Sequence, residues 1–385
     1  MKRISLIAIM ALMGIGSVAA KSSTTLPIVG EVVKATNPLI QYVGRVSFAK
    51  NETASFNFPG TSIFARFQGS SLKMICRPMT GYFMAQVDGC EPFKVGFNAE
   101  RDSVVTVAAA LPKGEHQVKL MYVIEGLFRT PEFRGFVLDK GCSLVKSPDL
   151  PERKIEFIGN SITCGYGVES IEMTDPFEDE TENHWLTYAN IVSDSLNAQH
   201  TSISRSGIGV YRNYDGPKAG SDENMPWQYE YTLFNKHDEK WDFNKYQPQL
   251  VCINLGTNDL STNNYDIALY EKNYRMFLTT VRSKYPNAKI VLITGPMLGE
   301  KESGEQREVL DRICSDANKK GFTLPEEVRK ARKGKNKGDK DIYRFDFTFQ
   351  TGDLGYGASW HPSKLQHQKM AGELLPFLRN LMGWE

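Results

Sequence analysis

Residues 146–151 read K-S-P-D-L-P, and this break separates two stretches of chain with different hydrophobic periodicities. Proline has no N–H and a fixed φ, so strands and helices tend to end at such a segment. Before it, short runs rich in β-branched and aromatic residues recur at 41–48, 54–57, 63–67, 72–77, 82–87, 104–108, 116–124 and 135–138. Turn residues punctuate them, as in Phe58-Pro59-Gly60, Asp88-Gly89 and Leu111-Pro112-Lys113-Gly114. Many short strands at regular spacing predict an all-β sandwich or jelly roll over residues 38–147. After the break, apolar strands are expected at 155–158, 201–204, 250–255, 289–294 and 342–347. Helical spacing of apolar residues falls between them, near 185–196, 269–281, 304–319 and 364–381. Strand–helix alternation of this kind predicts a mostly parallel sheet flanked by helices over residues 152–385. The fold class is therefore multidomain, all-β followed by α/β, which suits a chain of 385 residues.

The first twenty residues are expected to be a secretory signal peptide. Lys2 and Arg3 precede an apolar core at 4–15, and Val18-Ala19-Ala20 forms a small-residue cleavage site. No later stretch approaches eighteen apolar residues, so a secreted or periplasmic protein is predicted, with no membrane span. The 46 basic and 45 acidic residues nearly cancel, which argues against nucleic acid as a partner; a monomer is expected. Six cysteines are scattered without a C-x-x-C pair, so no structural zinc is expected, nor any other cofactor. Export permits disulfides, and Cys76 with Cys90 in neighbouring strands is the pairing to expect. Cys252 sits in an apolar strand as a small core residue, and Cys164 lacks an adjacent cation to activate it.

Four turns carry the chemistry, each just past a strand of the second domain. Gly159-Asn160-Ser161 follows the first strand, Ser206-Gly207-Ile208-Gly209 the second, and Gly256-Thr257-Asn258-Asp259 the third. Trp360-His361-Pro362 follows the last strand and precedes the last helix. In a parallel sheet all four converge on the carboxyl edge, where ligands bind in open α/β folds. Each turn alone is weak, since a Gly-Asn turn or a lone His is more often structural. Together they supply a nucleophile, oxyanion donors and a base.

These turns resemble the four blocks of the SGNH or GDSL hydrolases. The stretches G-N-S-I-T-C-G-Y-G, S-G-I-G-V-Y-R-N-Y-D-G, M-P-W-Q-Y-E-Y-T, I-N-L-G-T-N-D and W-H-P-S, with the all-β domain ahead of them, resemble carbohydrate esterase family two. The resemblance implies a jelly-roll domain joined to a flavodoxin-like hydrolase domain. It also implies an acetylxylan esterase-like activity, deacetylation of plant polysaccharides such as acetylated xylan or glucomannan. Ser161 is then the nucleophile and His361 the base. The Ser161 and Gly207 N–H groups and the Asn258 side chain form the oxyanion hole, with Gly209 a competitor for the Gly207 role. Trp360 and Tyr166 are the aromatics placed to face a sugar ring, with ordinary packing as the alternative.

One departure stands out. Related enzymes carry an Asp two or three residues before the His, where this chain has Ser359 and Ala358, and the nearest upstream carboxylate is Asp353. A main-chain carbonyl from 357–359 accepting from the imidazole is the simplest substitute. His116, His184, His200 and His237 read as structural, and His367 as a surface position on the last helix. The acidic stretch 169–182 and the basic stretch 329–340 read as solvated loops. Two other functions compete: a lipase or thioesterase of the same superfamily, and a carbohydrate-binding protein on a dead hydrolase fold. Polar Gly- and Asn-rich turns favour a short acyl group over the first. Retention of Ser161, Gly207, Asn258 and His361 together disfavours the second.

Overall fold

The computed structural model describes residues 28–385 except 51, 101–102, 263, 323–325, 327–329 and 331–338. The expected leader and most of the basic insert lie outside the described residues.

In the first half, alternating burial drives two antiparallel sheets together. Strand Ser62–Gly69 shows the pattern, turning Ile63, Ala65 and Phe67 inward while Phe64, Arg66 and Gln68 stay wetter. It pairs with Gly114–Tyr122, which continues to Gly81–Val87 and Phe93–Phe97. The opposing sheet runs Glu31–Lys34, Glu132–Leu138, Leu72–Cys76, Val104–Ala108. Phe56, Phe83 and Tyr122 meet edge-on or tilted between the layers, at centroid separations of 5.2–6.1 Å, the arrangement that ring quadrupoles favour. The domain starts before residue 38. Glu31–Lys34 is an exposed edge strand, held by its ladder to Glu132–Leu138 instead of by a buried face, so periodicity hides it. The expected disulfide is absent. Cys76 ends a strand of one sheet with its Sγ 3.7 Å from Thr80 Oγ1, whereas exposed Cys90 follows a strand of the other.

The second half is a five-stranded, all-parallel sheet in the order Ala198–Ser204, Arg153–Gly159, Leu250–Asn254, Lys289–Thr294, Ile342–Asp346. This is the doubly wound 2-1-3-4-5 order. Covered on both faces, its central strands Leu250–Asn254 and Lys289–Thr294 are nearly all apolar, whereas the edge strands carry polar residues, as in Gln199, His200, Thr201 and Arg344. Ile155, Phe157, Leu250, Cys252, Val291 and Ile293 face helices Tyr188–Ser195 and Lys364–Met382. Ile158, Val251, Ile253, Ile290 and Leu292 face helices Ile267–Lys284 and Glu300–Lys320. A hairpin, Tyr231–Leu233 with Lys236–Lys240, is added beyond the sequence expectation.

The domains are keyed together by buried polar groups. Arg45 of the sandwich enters a box of Phe58, Tyr229, Trp241 and Phe243 rings and donates to the carbonyls of Tyr229 and Tyr231. His184 and His200 are buried at the same boundary, their Nε2 atoms 3.0 Å apart, and Gly60 leaves the space they occupy. His367 is not a surface residue but buried, with Nδ1 accepting from the Tyr188 N–H at 3.3 Å.

Candidate active site

Strand Arg153–Gly159 ends at a glycine because a Cβ there would lie 2.1 Å from Thr163 Oγ1. Asn160 then caps a single helical turn, Ser161–Cys164, its Oδ1 accepting from Ile162 N–H at 3.1 Å. Ser161 thus stands at the first position of a helix on the sheet's carboxyl edge. Its Oγ is 2.8 Å from His361 Nε2.

His361 is aimed by an unusual stretch of main chain. Ser359 and Trp360 both take left-handed backbone, φ 50° and 58°, a conformation costly for residues with side chains. The turn brings the carbonyls of Ala358 and Ser359 to 3.0 and 3.2 Å from Nδ1. Carbonyls only accept, so Nδ1 carries the hydrogen and Nε2 offers its lone pair to the serine. Asp353 is exposed and accepts from Thr351 Oγ1 at 2.8 Å, away from the imidazole. The loop is latched to the nucleophile's own loop by Ala358 N–H donating to Gly167 O at 3.0 Å. Gly167 has φ +56°, and a Cβ on it would meet Ala358 Cβ at 2.3 Å. Burial pulls the His361 pKa down to about 4, with the two carbonyls opposing the shift.

Gly207 adopts φ +73°, and its N–H, like that of Ser161, has no acceptor among the described residues. Gly209, the competitor, donates to Asn213 Oδ1 at 3.2 Å and is already committed. Asn258 Nδ2 gives one hydrogen to Ile208 O at 2.8 Å, leaving the second for another acceptor. That bond joins the second and third turns. Ser161 and His361 are therefore in direct contact, and Asn258 is tied to the Gly207 loop.

Three side chains to which the sequence reading gave no role shape this edge. Buried Asp259 accepts from the N–H groups of Val210, Tyr211 and Arg212 at 2.8–3.1 Å, which folds the Gly207 loop over it; burial raises its pKa to about 6 against those bonds. Glu125 reaches in from the sandwich, accepting from Ser206 N–H at 2.5 Å and standing 3.8 Å from Cys164 Sγ. Tyr214 donates its N–H to Gly207 O at 2.8 Å and is 61% exposed. Asp259 and Tyr214 lie within sequence stretches already singled out, but nothing local marks Glu125.

Trp360 is 52% exposed beside the base, its N–H bonded to Met173 O at 3.2 Å. Tyr166 differs from expectation. His361 stacks on it at 4.2 Å and Phe177 at 4.5 Å, both near-parallel, and two such rings cannot share one face. With both faces taken, Tyr166 cannot stack on a sugar; it backs the imidazole instead. Among the described residues one group of three ligand-type side chains converges, buried Glu125, Cys164 and Glu182. Burial raises both carboxylates, which favours their neutral forms.

A doubly wound sheet whose edge gathers a serine, glycine, asparagine and histidine in that chain order defines a hydrolase of the GDSL class. Residues 155–374 match the GDSL-like lipase/acylhydrolase family, and residues 42–148 match the carbohydrate esterase 2 N-terminal domain. A solved family two carbohydrate esterase from Clostridium thermocellum, in complex with cellohexaose, is 34% identical with TM-score 0.79, covering 90% of this chain and all of that one. The chain belongs to family two of the carbohydrate esterases. It is 34% identical to the cellulase/esterase CelE of Acetivibrio thermocellus over 90% of its own length, but spans only 40% of that protein. With an acetylxylan esterase / glucomannan deacetylase of Cellvibrio japonicus it shares 27% identity over 91% of both chains.

Proposed function

We propose that the protein is an exported deacetylase of plant polysaccharides, acetylated xylan or glucomannan, working through a Ser161 acyl-enzyme. The carrying observation is the 2.8 Å contact between Ser161 Oγ and His361 Nε2, with Nδ1 held by main-chain carbonyls. Oγ attacks the acetyl carbonyl carbon while its proton passes to Nε2. The oxyanion that forms meets the Ser161 and Gly207 N–H groups and the second Asn258 N–H, donors fixed before charge develops. Collapse expels the sugar oxygen, which takes the proton from Nε2, and water repeats the sequence to release acetate. Exposed Trp360 and Tyr214 rings flank the edge and suit the apolar C–H faces of a sugar. The Val18-Ala19-Ala20 site, with the charged and apolar run upstream of it, supports export.

The experiment is acetate release from acetylated xylan and glucomannan by the wild type and Ser161→Ala, with aryl acetate and butyrate esters alongside. Release by the wild type, lost in the variant, and preference for acetate are expected. Preference for the longer acyl chain, or activity of Ser161→Ala within about tenfold of the parent, refutes the reading.

A further inference from the structure

We infer that the crevice between the two domains is a subsite for the sugar residues next to the acetylated one, so that the sandwich helps to read the polymer. This rests on the deacetylase reading above and extends it to substrate selection.

The crevice encloses about 500 Å³, within the usual range for a ligand site. One wall comes from the sandwich, with Tyr82, Leu127 and Phe128 as its apolar surface and Asn98 and Arg129 as its polar groups. The other wall is Phe177 with the acidic loop that follows it, and the edge of Tyr166. At the floor stand Glu125 and Ser206, the residue directly before Gly207. The crevice adjoins the catalytic edge: its lining includes Tyr166, whose other face carries His361, and Ser206, the neighbour of Gly207. On this adjacency the subsite reading has a chain with its acetyl group at Ser161 lay a neighbouring ring past Ser206 into the crevice.

The lining suits such a ring. A pyranose offers an apolar C–H face and polar hydroxyl edges, and the crevice mixes aromatic rings with carboxylates and an amide. Phe128 is 92% exposed at the rim, an apolar ring left open to solvent among the described residues. Tyr82 is oriented by Asn98 Nδ2, which donates to its hydroxyl at 3.0 Å. The width is fixed in advance by ties between the domains. Arg129 pairs with Asp179 at 3.2 Å, and Lys94 bonds Glu169 and donates to Glu180 O at 2.7 Å. Preformed walls lower the ordering cost of binding. The charge points to a neutral chain. Glu178, Asp179 and Glu180 outnumber Arg129, which Asp179 already neutralises, so a uronate-bearing ring meets repulsion.

The test compares Phe128→Ala, and Phe128→Ala with Asn98→Ala, with the wild type on a small aryl acetate and on acetylated glucomannan. Phe128 and Asn98 are exposed, so folding should survive, which circular dichroism checks. Expected are aryl acetate kcat/KM values within about twofold, and a fall of about tenfold on the polymer carried by KM, the size of one lost aromatic contact. Acetylated glucuronoxylan should be a poorer wild-type substrate than its neutral counterpart. Unchanged polymer kinetics, or equal losses on both substrates, overturn the subsite. A wild type that cleaves the aryl ester but no acetylated polymer refutes the deacetylase reading and this subsite with it.

Discussion

The position of the acid limb of activity follows from how His361 is held. Lowering the pH is the perturbation. The base works only when Nε2 is unprotonated, and burial without a carboxylate partner has pulled its pKa from 6.5 to about 4. At pH 5 about 90% of the enzyme then keeps a neutral imidazole, whereas an ordinary histidine would leave about 3%. The difference is roughly thirtyfold in kcat/KM, large enough to read from initial rates of acetate release on a soluble acetylated oligosaccharide. Unfolding must be separated from titration. Buried His184 and His367 have pKa values lowered to about 4 and about 3, so the folded state binds fewer protons than the unfolded one below pH 6.5. Their stabilising share is intact above pH 6.5 and falls through that window by about 1.4 kcal/mol per pH unit for each group. Asp259, raised to about 6, acts in the opposite sense, its folded state losing stability as pH rises toward 6, which makes the net slope shallower. Each sample is therefore returned to pH 7 and assayed again. A reversible limb with its midpoint at pH 6 or above would show that His361 has a charge partner, and the main-chain account would be wrong.

Three substitutions probe the rest of the edge. Asn258→Ala should lower kcat by about 10²–10³ with little change in KM, as for a donor used only in the transition state; lost affinity at constant kcat would make it a substrate-positioning group. Asp353→Asn should keep kcat within about tenfold of the parent, far from the ~10⁴ loss seen in serine proteases whose triad acid is neutralised; a thousandfold fall in a folded variant would reinstate the acid. Asp259→Ala strands three buried N–H groups and should cost at least about 3 kcal/mol, read as a lowered denaturation midpoint, and a midpoint equal to the parent's would contradict the bonding described.

Chain-local physics fixed the framework. A strand buried on both faces is mostly apolar, and a helix packed on one side repeats its apolar residues at three to four, so the alternation after residue 151 specified a parallel sheet. Parallel strands share one carboxyl edge, which is why four separate turns were legible as one site. What the tertiary structure alone decided involves groups distant in sequence whose meeting leaves no local trace. Ser161 and His361 are 200 residues apart, and their contact depends on two left-handed residues that turn carbonyls toward Nδ1. Glu125 comes to Ser206 from 81 residues away in another domain, in a stretch with no turn or periodic signal to mark it. Cys76 and Cys90 are close in sequence, yet Cys76 ends a strand of one sheet and Cys90 follows a strand of the other, and Tyr166 follows the nucleophile yet gives both faces to other rings. Periodicity records which face of an element is buried; it does not record what that face is buried against.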